Sequence, residues 1–124
     1  MQDKMQIHPI IGPAISATSW VSTPVVGATT MFYITVARAR VPVTNAVVTV
    51  TVKNNKGEVR LATTNVPPTG LIPGSYSVTP SSRTIFNSAG TLYKAEWMIT
   101  IPAVGSTPEL VLPVVTQDMI AKSP

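Results

Sequence analysis

An antiparallel β-sandwich is the fold this sequence predicts, and three observations predict it. Polar and apolar residues alternate over long stretches such as "NAVVTVTVK" (45–53) and "TLYKAEWMITIP" (91–102). Twelve prolines and many β-branched residues punctuate the chain, with turn signals roughly every ten residues. No window sets apolar residues at i, i+3, i+4 and i+7 between a helix cap and a stop. A chain of 124 residues has room for one such domain and not for two.

In chain order, "AISATSWVS" (14–22) offers a first strand. "TMFYITVARA" (30–39) is apolar on both faces in its first half, as expected of a central strand. In 45–53, Ala46, Val48, Val50 and Val52 share an apolar face opposite Val47, Thr49, Thr51 and Lys53. "NNKG" (54–57) then suits a four-residue hairpin loop with Gly57 at positive φ, and "EVRLATT" (58–64) returns with Val59 and Leu61 directed at the core.

The stretch "LIPGSYSVTP" (71–80) reads as a turn that launches a strand. Proline presets φ at the second position of a type II turn and glycine tolerates the positive φ of the third, so Ile72-Pro73-Gly74-Ser75 fits that turn. Tyr76 and Val78 then share a face, and Pro80 ends the ladder because it has no N–H to donate. In 91–102, Tyr93, Ala95, Trp97, Ile99 and Ile101 form the core face, with Trp97 as anchor. The seventh strand, "PELVLPVVT" (108–116), is confined by Pro113 to an edge or a bulge. "TQDMIAK" (116–122) supplies at most one helical turn, capped by Thr116. The sandwich thus spans 14–116, between extended arms at 1–13 and 117–124 that are held in place only against a partner.

Only 11% of residues are charged and 44% are hydrophobic. Soluble domains run near a quarter charged, so much of this surface is neutral and prone to associate. The +4 net charge comes from scattered bases without a basic run, which argues against nucleic acid. Arg38 and Arg40 read as solvated charges on one face of a strand edge. With no cysteine, disulfides, thiolate metal sites and cysteine nucleophiles are excluded. No apolar run of about 18 residues marks a membrane span, and prolines with an adjacent Asp3–Lys4 pair argue against a signal peptide.

Candidate chemistry is sparse. His8, the lone histidine, has only Asp3 near it in sequence, and no G-x-S-x-G elbow occurs. Glu58 and Glu96 are the only formal pair for acid–base work, and Glu96 reads as a solvated partner of Lys94. No clustered acids suggest calcium, and no glycine-rich phosphate loop is present. The expectation is a protein without enzymatic activity, cofactor, metal or small-molecule substrate. The residues expected to meet a partner are Ile7, His8, Ile10 and Ile11 in the first arm and Met119 and Ile120 in the second. Trp20 and Tyr33 join them from the strands, with Ile85 and Phe86 from "SSRTIFNSAG", a loop whose apolar residues need cover.

The segments "PVTNAVVTVTV", "NNKGEV", "PGSYSVT" and "AGTLYKAEWMITIPA", within 41–102, resemble the immunoglobulin-like sandwich modules of tailed-phage virion proteins and bacterial surface proteins. The resemblance covers about half the chain and implies an immunoglobulin-like sandwich of about seven strands, of the type without a disulfide. It implies a virion structural protein, assembled in the host cytoplasm, that decorates or cements a capsid or serves the head–tail junction. Its partners would be major capsid or tail proteins and copies of itself, with no nucleic acid and no membrane. The alternative the resemblance leaves open is a secreted or surface-anchored adhesin or pilus-type module.

Overall fold

The structure, a computed structural model, describes residues 15–103 and 108–124. Among these residues it is all β. The strands are β1 (Ile15–Val21), β2 (Phe32–Arg38), β3 (Val41–Pro42), β4 (Val47–Asn54), β5 (Val59–Asn65), β6 (Ser75–Val78), β7 (Leu92–Ile101) and β8 (Leu110–Ile120). They form two antiparallel four-stranded sheets packed as a sandwich. In the first, β2 is central, with β1 along one edge and β6 and then β3 along the other. The second has the order β5-β4-β7-β8. The two-residue β3 is the strand the sequence did not announce.

Alternation does what the sequence predicts over most of this frame. Val48, Val50 and Val52 of β4 and all five odd-numbered residues of β7 from Tyr93 to Ile101 are buried. They meet Phe32, Ile34 and Val36 of β2 in one core. Trp97 is fully buried and stands edge-on to Phe32, with centroids 6.3 Å apart and planes at 66°, so one aromatic pair spans the two sheets. Near the β1 and β8 edges the closure is polar: Ser19 Oγ donates to Gln117 Oε1 at 2.8 Å, and both residues are buried.

The 71–80 stretch is the turn and strand expected of it. Ser75 N donates to Ile72 O at 3.1 Å, and Gly74 has φ +80°. A Cβ at Gly74 would also lie 2.8 Å from Val36 O and 2.9 Å from Pro42 Cβ, so both backbone conformation and close approach demand glycine. Tyr76 is fully buried; its hydroxyl donates to Val43 O at 2.5 Å and accepts from Ala46 N at 3.0 Å. Burial pushes the phenol above its ordinary range, opposed by the bond from Ala46.

Four expectations are corrected. Val59 faces water at 55% exposure, because the β4–β5 ladder shifts register between Val50 and Val52 and again between Val52 and Lys53. The extra residues lie in β5, so strict alternation fails there; Leu61 packs against the core and Val59 does not. Residues 116–120 form neither a helical turn nor an arm. They continue β8 beside β7, with Gln117 and Met119 buried. Beyond them, Val26 N donates to Lys122 O and Lys122 N to Pro24 O, which fixes 121–122 to the chain's own body. The expected edge position and bulge of β8 do occur: the register slips by one residue between the Trp97–Val115 and Ile99–Leu112 pairs, around Pro113. Finally, Arg38 and Arg40 do not share a strand face. Ala39 (φ 49°) and Arg40 (φ 67°) form a two-residue hairpin turn between β2 and β3, in a conformation that side chains other than glycine adopt at a cost. The expected N-terminal arm lies outside the described residues.

Candidate interaction surface

Antiparallel register builds the surface that stands out. In β1 the odd-numbered residues point into the core, so Ser16, Thr18 and Trp20 point outward; in β2 the outward set is Tyr33, Thr35 and Ala37. Trp20 faces Tyr33 directly and Thr18 faces Thr35. The Trp20 and Tyr33 rings meet edge to face, with centroids 6.5 Å apart and planes at 85°. Met31 joins them, its carbonyl accepting from Ser22 N at 3.0 Å and its own N–H donating to Ser22 Oγ at 2.9 Å. Together Thr18, Trp20, Met31, Tyr33 and Thr35 line a shallow depression of about 340 Å³.

The polar tip of this platform is already satisfied. Tyr33 Oη donates to Ser75 Oγ at 2.8 Å, which takes up the one hydroxyl of the aromatic pair. No outward position of β1, β2 or β6 carries a charge: besides those named, they are Ser75 and Ser77 of β6. An aromatic pair framed by threonine methyls and free of charge suits burial against an apolar protein surface. It suits flat stacking of a sugar poorly, since the rings are nearly perpendicular.

The residues predicted to meet a partner separate into groups. Trp20 and Tyr33 come together, half-buried, on this one face. Ile120 is 59% exposed, but on the other sheet, beside Leu92. Ile85, Phe86 and Met119 are buried in the chain's own core. Phe86 stacks edge-on against Tyr93 at 5.0 Å, and Tyr93 Oη holds the loop by accepting from Asn87 N and Ser88 N. Arg60 straps the same loop from β5, donating to the carbonyls of Thr84 and Ile85. The cover these residues need is thus supplied from within. Ile7, His8, Ile10 and Ile11 lie outside the described residues. Sequence reading missed Thr18, Met31 and Thr35; pairing the first two strands as a hairpin would have found them opposite one another.

The carboxylates weighed for chemistry have local partners. Glu58 accepts from Asn54 Nδ2 at 2.7 Å. Glu96 pairs across strands with Lys53 at 3.2 Å, not with Lys94 of its own strand, which lies opposite Asp118. Among the described residues no group of three or more His, Cys, Asp or Glu could hold a metal ion. No protein family, curated protein or solved structure matches this chain.

Proposed function

We propose that this chain is a non-enzymatic structural subunit of a virion, an immunoglobulin-like sandwich that binds a lattice of capsid or tail proteins as a decoration, cement or head–tail accessory subunit. The observation that carries the reading is the charge-free outer face of the first sheet, with Trp20 and Tyr33 at its centre. Tryptophan and tyrosine are the residues that most often dominate binding energy once an interface excludes water. A low overall charge of 11% supports packing among other proteins, and repetition across a lattice makes a modest single contact strong. The virion setting comes from the resemblance of residues 41–102 to tailed-phage modules.

The test is incorporation. Mass spectrometry of virus particles purified from the source should find the chain at a fixed ratio to the major capsid or tail protein. Trp20→Lys should fold normally and be lost from the particles. Absence of the chain from every particle, or undiminished incorporation of Trp20→Lys, would overturn the proposal.

A further inference from the structure

A second feature lies at one end of the sandwich, apart from the aromatic face. The β2–β3 hairpin, the link from β3 to β4 and the end of β7 enclose an open groove of about 640 Å³. Ile101 and Val43 are buried, while Val41 stands 64% exposed at the rim. The lining is otherwise uncharged, from Ala39, Pro42, Thr44, Asn45 and Pro102. Its single charge is Arg38, which has no ion-pair partner among the described residues. Asp and Glu are absent from residues 4–57, so the stretch that supplies most of the groove offers no carboxylate of its own.

The walls are preset. Tyr76 Oη holds the Val43 carbonyl and the Ala46 N–H, bracketing Thr44 and Asn45. On the other side the positive-φ turn at Ala39–Arg40 follows directly on Arg38. A groove formed before its ligand arrives loses little entropy on binding.

We propose that this groove binds an acidic segment of a partner protein: an extended peptide whose Asp or Glu carboxylate pairs with the Arg38 guanidinium while a neighbouring aliphatic side chain covers Val41 and Pro102. The guanidinium fork matches a carboxylate in two parallel hydrogen bonds. Asn45 and Thr44 supply the donors and acceptors that a peptide backbone uses. A lone arginine in an otherwise uncharged groove favours a single carboxylate with an aliphatic neighbour over a phosphorylated surface, which draws on clustered bases. The proposal does not rest on the virion reading, because it concerns a different surface and is tested on the isolated chain.

The test is a titration of the ¹⁵N-labelled chain with the blocked tripeptide acetyl-Val-Asp-Leu-amide, followed by amide chemical shifts. Millimolar peptide should shift Ala39, Val41, Val43, Thr44 and Asn45 together. Acetyl-Val-Asn-Leu-amide should bind about tenfold more weakly, as should the Asp peptide to Arg38→Gln, the loss expected of one charge-assisted pair. Arg40→Gln, outside the groove lining, should stay within about twofold. The peptide comparison uses the unaltered chain, so it decides the matter even if Arg38→Gln folds poorly. Equal binding of the Asn peptide, shifts elsewhere, or no shifts at all would overturn the proposal. So would sodium acetate reproducing the full response, which would mean a small-anion site only, or Arg38-dependent binding to phosphatidylserine vesicles without peptide binding.

Discussion

The two sheets rest on one core yet turn different surfaces outward. The first shows water threonines, serines and the Trp20–Tyr33 pair, without a charge. The second shows Lys53, Lys94, Glu96 and Asp118 across its middle. Its exposed aliphatics stand at the margins, Leu92 and Ile120 at one end and Val47, Met98 and Val111 at the other. Charges on a sheet face keep it solvated, because another surface must strip their water before it can dock. The first face carries no such barrier. Inward alternation therefore fixes the sandwich, and the outward residues, chosen independently of it, set the two faces apart.

The comparison can be broken most severely from beneath. Trp97→Ala removes the side chain that meets Phe32 across the sheets and should cost about 3–5 kcal/mol. That is a large part of a stability of roughly 5–15 kcal/mol, and urea unfolding should show both faces lost in one transition. Next in size is the aromatic face itself. Trp20→Ala should weaken partner binding by 2 kcal/mol or more, about thirtyfold, in a pull-down or particle-binding assay. Glu96→Ala on the other face should leave the same binding unchanged.

Tyr76→Phe should cost about 1–3 kcal/mol, because it leaves the Val43 carbonyl without its donor and the Ala46 N–H without its acceptor. The same phenol sets an alkaline limit. Its folded pKa lies above the ordinary value of 10.0, so its contribution is whole below that pH. It is lost as pH rises through the folded value, since the unfolded chain releases the proton first. Thermal unfolding followed above pH 10 should fall more steeply for the native chain than for Tyr76→Phe. The smallest effect belongs to the charged face: Glu96→Ala, which breaks a half-exposed pair with Lys53, should change stability by about 0.2–1 kcal/mol and less in high salt.

Where one periodicity ran unbroken, the sequence was enough. In β4 and β7 the buried positions are all apolar, and at Ile72–Ser75 proline and glycine leave the backbone little choice. Reading fails where the cause lies in another strand. The two extra residues of β5 turn Val59 outward, and nothing in "EVRLATT" marks them. Gln117 looks like a solvated arm residue until Ser19, far away in sequence, satisfies it inside the sandwich. Neither Ala39 nor Arg40 favours positive φ, so their turn is imposed by the pairing of Arg38 with Val41. For the surface, Trp20 and Tyr33 each stand out in the sequence, but their meeting depends on register. Ile85 and Phe86 look uncovered because the side chains that cover them come from β5 and β7.

The irregularities at the two margins of the second sheet have one more effect. On β5 the doubled register slip, and on β8 the slip at Pro113, deny a newcomer the straight row of donors and acceptors that a fibre needs to grow. Many copies crowded together will therefore not knit into an endless ribbon through that sheet.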